Sequence, residues 1–245
     1  MNKLPQITLI FWIMKICATT LGETAGDLLS MTLNVGYAVS TIILISIFVI
    51  SLITQLKAKR FHPALYWTVI LATSTAGTTM SDYMDRTLGL GYMKGSILLL
   101  SLLLVTLFVW KKVIGTISVN DIKSSKAELF YWVAILFSNT LGTALGDFLA
   151  DDSGLGFAGG AILIGALIAI IILLNFYTKI SKVVLFWIAF VLTRPFGATL
   201  GDYLTKTKDK GGIGFGTIGS SSVLMVVLIG LIIFSHQSKE QTKLD

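Results

Sequence analysis

Eight apolar stretches, each about as long as a membrane-crossing helix, follow one another along this chain. A helix needs about 20 predominantly apolar residues to cross the hydrocarbon of a bilayer, and it pairs its own backbone amides there. With 54% hydrophobic and only 13% charged residues, the composition is typical of an integral membrane protein. We place the spans at residues 7–28, 35–55, 64–83, 90–110, 129–150, 155–175, 183–204 and 215–235.

Positive charge is unequally divided between the two sides of these spans. Loops on the side of the termini hold twelve lysines and arginines and the opposite loops hold five, while Lys15 and Arg194 lie within spans. Because cytoplasmic loops are enriched in Lys and Arg, we expect a multi-pass protein of the cell membrane with both termini in the cytoplasm. The net charge of +6 is thus a topology signal, and nothing predicts a nucleic-acid partner.

The odd-numbered spans share one motif, an aromatic residue and a tryptophan followed by an aspartate fifteen residues after the tryptophan. The four copies begin "FWIMKICATTLGETAGD", "YWTVILATSTAGTTMSD", "YWVAILFSNTLGTALGD" and "FWIAFVLTRPFGATLGD". Successive tryptophans are 55, 65 and 55 residues apart, so the two halves of the chain superpose with a constant offset of 120 residues. Such regular spacing indicates internal repetition.

This pattern resembles a family of bacterial membrane proteins built from four copies of the repeat catalogued as domain of unknown function 347. The resemblance covers residues 8 to 235 and implies two membrane segments and a characteristic tryptophan in each repeat, here Trp12, Trp67, Trp132 and Trp187. It implies no activity. The fourth copy departs from the others, with "RPF" inside its first segment and three extra residues in "TKTKDKGGIGF".

The repeats predict the fold class, an all-α integral membrane protein with eight transmembrane helices. Because each repeat contains two spans, all four copies enter the membrane in the same direction. We therefore expect a single membrane domain over residues 1–245, made of four tandem parallel helical hairpins. Its symmetry would be pseudo-four-fold, and two-fold between halves, about the membrane normal. The repeats are placed at approximately residues 8–56, 63–112, 128–178 and 183–235.

The polar residues of the odd spans fall on one face of each helix. Positions four apart share a helical face, so each aspartate belongs to a stripe of inward-facing residues. Small residues at the same spacing, such as Gly22 and Gly26, let neighbouring helices approach closely. We expect the odd helices at the centre and the even helices against lipid. The predicted polar lining is Thr19, Ser74, Thr78, Asn139 and Thr143.

Four aspartates at the ends of these stripes have two interpretations. Converging carboxylates would form a cation or metal site, because hard cations prefer oxygen ligands. Alternatively, each aspartate ends its helix by accepting hydrogen bonds in the following turn. The residues are Asp27, Asp82, Asp147 and Asp202.

Glu23 occurs once, deeper than the aspartates, on a stripe that also contains Lys15. We predict that Glu23 pairs with Arg194 across the axis or carries a proton. It is either a structural charge or an acid that binds a cation during transport. Arg194 would set the charge state of Glu23, with Lys15 as a second compensating cation, and Pro195 would kink its helix.

The remaining features suggest structural roles. The four motif tryptophans predict an aromatic belt at the membrane interface, and Asp85 and Arg86 are expected in solvated loops. The single cysteine, Cys17, allows neither an internal disulfide nor a thiolate metal cage. No nucleophile and base can be paired within one leaflet, so we expect neither enzymatic activity nor a cofactor.

These observations predict a transporter or gated pathway for a small cation, either a divalent metal or a proton-linked ion. Glu23 and the four aspartates would bind the cation, and Arg194 and Lys15 would control the charge. The alternative is a membrane scaffold or sensor subunit whose central polar residues only hold the helices together. The expected partners are the lipid bilayer and the cation, and a homo-oligomer is an open alternative to a monomer.

Overall fold

A computed structural model describes residues 4–122 and 124–241, without the side chains of residue 121 and of residues 236–241. Lys3, Lys123, Lys239 and Lys243, four of the twelve charges counted above, lie outside the described residues or side chains. Eight α-helices account for most of the described chain. They are α1 Leu9–Asp27, α2 Tyr37–Lys57, α3 Pro63–Asp82, α4 Tyr92–Ile114, α5 Ser125–Asp147, α6 Gly156–Tyr177, α7 Lys182–Thr205 and α8 Thr217–Gln241.

The first helix of each of the first three repeats continues past its aspartate into one wider π-helical turn. These turns are Leu28–Thr32, Tyr83–Thr87 and Phe148–Asp152. A left-handed turn then leads into the second helix, with Asn34 at φ 56° and Gly36 at φ 81° in the first repeat. Glycine is favoured there because it adopts positive φ without steric cost. In the fourth repeat α7 ends at Thr205, and the extra residues form a 3₁₀ turn at Lys208–Lys210.

The odd helices form a closed ring in the order α1, α3, α5, α7, and each even helix lies outside the ring. Helix α2 packs on α3, α4 on α5, α6 on α7, and α8 on α1. The predicted self-packed hairpin is therefore wrong in one respect: the second helix of a repeat packs chiefly on the first helix of the next repeat. In every repeat an additional turn separates the two helices before the chain reverses, π-helical in the first three repeats and 3₁₀ in the fourth.

Outer and inner helices differ in burial as the sequence predicts. Only 17%, 17%, 11% and 17% of the apolar windows of α2, α4, α6 and α8 are buried, against 67% and 56% for α5 and α7. These six helices are long and apolar enough to cross a membrane. Exposed apolar side chains cover the outer helices, as in a multi-pass membrane protein. Helices α1 and α3, of 19 and 20 residues, are long enough but less apolar, because polar side chains fill their inward faces.

The same close approach recurs at all four interfaces of the ring. A side-chain carbon added at Gly77 would lie 3.0 Å from the backbone of α5, and one at Gly197 would lie 2.5 Å from the Thr19 hydroxyl. Gly22 faces Ser74 and Gly142 faces Arg194 in the same manner. The glycines therefore bring helix backbones together at the depth of the polar stripes.

Candidate functional site

The ring encloses a column of buried polar side chains that runs from the aspartates toward the middle of the bundle. All five residues of the predicted lining and all five predicted acids are buried, as are Lys15 and Arg194. The column has two levels, an aspartate cluster at one end and a core around Arg194. The opposite end, where the odd helices begin, is aromatic.

Two cationic side chains connect the four aspartates in pairs. Arg86 Nε lies 3.0 Å from Asp82 Oδ1, and its Nη2 lies 3.0 Å from Asp147 Oδ2. Lys206 Nζ lies 2.7 Å from Asp27 Oδ2 and 3.0 Å from Asp202 Oδ1. Each cation therefore joins the aspartate four residues before it to the aspartate of a neighbouring helix, α5 for Arg86 and α1 for Lys206.

The predicted solvated position is wrong for Asp85, which is buried and accepts a hydrogen bond from Ser81 Oγ at 3.1 Å. Arg86 is exposed as predicted, with 31% of its side chain open to solvent. Both residues lie on the π turn that follows α3, so they remain on the helix surface instead of entering a loop. Arg86 also donates to Tyr37 Oη at 3.3 Å and lies over the ring of Tyr92.

The core of the site is the pair of Arg194 and Glu23, with 2.9 Å between Nη1 and Oε2. This confirms the predicted pairing, although Arg194 reaches Glu23 from the neighbouring helix α7 and not from across the axis. Arg194 Nη2 donates to Thr78 Oγ1 at 2.6 Å, to Thr143 Oγ1 at 2.7 Å and to the Ser74 carbonyl at 3.3 Å. Both threonine hydroxyls also lie 3.3 Å from Glu23 Oε2. One guanidinium therefore connects all four odd helices at mid-column.

Lys15 lies toward the aromatic end of the column and has a different environment. Its Nζ donates to Asn139 Oδ1 at 3.3 Å and lies 4.2 Å from the centre of the Phe190 ring. Asn139 in turn donates to Thr73 Oγ1 at 2.8 Å, a contact that the sequence did not indicate. Within residues 4–122 and 124–241, Lys15 forms no ion pair with a carboxylate, so its predicted role beside Glu23 is not seen as a contact.

The fifth lining residue, Thr19, donates its hydrogen bonds to backbone carbonyls and not to a charged side chain. Its hydroxyl donates to the Lys15 carbonyl at 3.0 Å and to the Thr193 carbonyl at 3.1 Å on α7. Helix α7 runs without a break from Lys182 to Thr205, with Pro195 inside it. Proline has no amide hydrogen to donate within the helix, so one carbonyl of the preceding turn loses its usual partner.

Three of the acids come close enough to share one ion. Glu23, Asp147 and Asp202 each offer a carboxylate oxygen, and these oxygens lie within 4.8 Å of one another. Oxygen ligands of this kind suit Mg²⁺, Mn²⁺ or Ca²⁺. The predicted ring of four aspartates is therefore only partly brought together: Asp147 and Asp202 join Glu23, whereas Asp27 and Asp82 do not belong to this group.

The predicted interfacial position of the motif tryptophans is also wrong. Trp67, Trp132 and Trp187 are buried, and only Trp12 is partly exposed, so the motif tryptophans do not form an interfacial belt. They pack edge-on against neighbouring aromatic rings. Tyr66 and Tyr131 bridge α3 and α5 through hydroxyls 2.6 Å apart. Large rings therefore fill this end of the bundle.

Arg86 and Lys206, the cations that bridge the aspartates, were not predicted from the sequence, although a signal was present. Each follows the motif aspartate by four residues, the spacing of a helical ion pair. They are also 120 residues apart, the offset that relates the two halves. The equivalent positions in the other repeats, Met31 and Asp151, carry no positive charge.

The family model described as Repeat of Unknown Function (DUF347) matches the chain four times. The matched residues are 10–61, 65–115, 130–181 and 185–241. Since the matches cover most of the sequence, the chain belongs to this repeat family. No match was found among curated proteins or among solved structures.

Proposed function

We propose that this protein is a transporter or gated pathway for a small cation, with the aspartate cluster and Glu23 as the ion-binding site. In this proposal all eight helices, α1 and α3 included, span the cell membrane as one domain, with approximate four-fold symmetry about the membrane normal and both termini in the cytoplasm. The ion is a divalent metal or a proton-linked species. Both a monomer and a homo-oligomer are compatible with this proposal, and no enzymatic chemistry is involved.

The observation that carries this proposal is a charge imbalance. Five buried carboxylates take part in ion pairs with only three cations, Arg86, Arg194 and Lys206, among the described residues. Two negative charges are left over when all groups are ionised, and one remains if the distant Lys15 is counted. An uncompensated charge within a membrane costs at least ~2.5 kcal/mol. A divalent cation or protons would remove this cost.

The surroundings of the two bridging cations suggest a route of entry. Arg86 is held by Asp82, Asp147 and Tyr37 and lies against Tyr92. The Lys206 side chain pairs with Asp27 and Asp202, and the residue begins the loop peculiar to the fourth repeat. An incoming cation would therefore displace Lys206, between α1 and α7, more readily than Arg86. The ion would then reach the carboxylates shared with Glu23.

A gated carrier fits these contacts better than an open channel. Arg194 fills mid-column with a fixed positive charge, which opposes the passage of cations. Beyond it, aromatic rings fill the far end. Movement of an ion through the bundle would require rearrangement of both. Neutralisation of Glu23 by a proton or a metal would release Arg194 from its partner.

A second candidate is a scaffold or sensor subunit without transport. One specific observation favours it: every carboxylate of the cluster has a cationic partner within 3.0 Å. Such pairing could serve only to join the helices, since buried ion pairs are often retained without a net gain in stability.

Ion flux into proteoliposomes distinguishes the two candidates. We expect uptake of protons or of Mn²⁺ by the wild type, and a strong loss of uptake in Glu23→Gln and Asp27→Asn. Asp152→Asn, a change at an exposed acid of the same end, is the matched control and should keep wild-type flux. Absence of flux for every ion tested with folded wild-type protein would support the scaffold. Normal flux in both site variants would remove these residues from the pathway.

A further inference from the structure

A groove of about 760 Å³ opens on the outside of the bundle between α1, α6 and α7. Its walls are apolar side chains, including Trp12, Ile168, Ile172 and Phe186. It lies away from the carboxylates, toward the end of the molecule where the odd helices begin. A molecule bound in the groove would therefore lie apart from the ion-binding carboxylates.

Comparison of the two halves shows that the groove exists on one side only. The residues of α2 that correspond to this stretch of α6 at the offset of 120 are Phe48, Leu52 and Gln55, which are 5%, 8% and 1% exposed. On α6, by contrast, Ile172 is 51% exposed, although it corresponds to the buried Leu52. In the first half of the chain, protein side chains fill the space that remains open in the second half.

The start of the neighbouring helix explains the difference. In the first half, α5 begins at Ser125, and its Glu128 accepts a hydrogen bond from Gln55 Nε2 at 3.2 Å, which closes the seam. In the second half, α1 begins only at Leu9, and the position that corresponds to Glu128 is Thr8, which caps the helix. The Thr8 hydroxyl accepts a hydrogen bond from Phe11 N at 3.3 Å, so it serves its own helix, whereas Glu128 serves the seam between α2 and α5.

The dimensions of the groove match one leaflet of a bilayer. Along α7 it extends from Lys182 to Thr193, a rise of about 16 Å along the helix. Half of the ~30 Å hydrocarbon core is about 15 Å. An acyl chain that enters at the Lys182 end would therefore lie along the whole apolar wall.

The charged and amide side chains that line this groove lie at one end of it. Lys182 and the side-chain amides of Asn120 and Asn175 line its mouth, all exposed, where a headgroup would lie. The mouth has one positive charge, and no acidic side chain lines the groove among the described residues. We infer that the groove binds one anionic phospholipid, with an acyl chain against α6 and α7 and its phosphate at Lys182.

Native mass spectrometry of the purified protein with phosphatidylglycerol and with phosphatidylcholine of identical chains tests this inference. One lysine near an anionic headgroup is worth about a five-fold preference. We expect one tightly held phosphatidylglycerol per chain in the wild type and loss of the preference in Lys182→Gln. Lys179→Gln, an exposed lysine that does not line the groove, is the control and should behave as the wild type.

A second pair of variants tests the groove itself without disturbing the fold. Ile172→Trp should fill the groove and abolish retention of both lipids, whereas Ile170→Trp, at an equally exposed position outside it, should have no effect. Equal binding of the two lipids, equal effects of Lys179→Gln and Lys182→Gln, or lipid retained by Ile172→Trp would each overturn the inference. So would a dimer that Ile172→Trp dissociates, because a second copy would then occupy the groove.

Discussion

Glu23 and Arg194 form the ion pair at mid-column. We expect that replacement of either residue alone destabilises the protein more than replacement of both. Replacement of Arg194 by Met removes its bond to Glu23 and three further hydrogen bonds. The Glu23 carboxylate would then remain buried with only two hydroxyls, each 3.3 Å away. Loss of one partner from a buried pair costs about 3–5 kcal/mol.

The double variant Glu23→Gln with Arg194→Met removes both charges together. Since a buried pair replaced by neutral groups is often tolerated, its stability should exceed that of either single variant. Additive effects would instead give a loss of about 6–10 kcal/mol, twice the cost of one broken pair. The expected coupling energy is therefore at least about 3 kcal/mol, at the upper end of values found for residues in contact.

Thermal unfolding in detergent, followed by the fluorescence of the buried tryptophans, measures this coupling. For a chain of this size each kcal/mol shifts Tm by about 2–4 °C, so each single variant should lose about 6–20 °C and the double variant much less. Flux adds a second criterion, because the double variant should be stable and yet inactive. A double variant as unstable as the sum of the two single variants would refute the reasoning.

Three further outcomes are expected. Gly77→Ala should cost about 1–3 kcal/mol in unfolding experiments, because its new carbon meets backbone atoms of α5 at 3.0 Å, whereas Gly230→Ala, in open space, should not destabilise; equal effects would contradict the close packing. Tyr66→Phe should cost about 1–3 kcal/mol, since Tyr131 loses its buried partner, and replacement of both tyrosines by Phe should recover most of it. A cysteine at the exposed position of Lys57 should resist an impermeant reagent added outside intact cells, and its labelling there would invert the proposed orientation.

The sequence predicted those parts of the site that depend on the period of a single helix. Positions four apart share a face whatever the surroundings, so the inward stripes and the burial of the acids were accessible from spacing alone. The pairing of Glu23 with Arg194 was accessible for a different reason. A lone acid and a lone base at similar depth in neighbouring central helices have few other partners in a membrane.

The features that spacing could not predict depend on how each helix ends. The π turn keeps Arg86 on the helix surface beside Asp82 and within reach of Asp147. The packing of each outer helix on the next repeat likewise follows the turn between the two helices, which helical periodicity does not specify. The position of the tryptophans was predicted wrongly because an aromatic residue near a helix start is equally compatible with a lipid interface and with a packed interior. Only the neighbouring rings, brought from other repeats, decide between the two.

Because α8 packs on α1, the last helix of the chain closes the ring of repeats against the first helix. Every inner helix is shielded by the outer helix that precedes it, and for α1 that shield arrives last, from the far end of the sequence. A protein shortened by one repeat would leave α1 bare and α5 without its neighbour. Conversely, a chain permuted to start at α3 and joined from α8 to α1 would retain every interface, so the order of synthesis should matter less to this fold than the number of repeats.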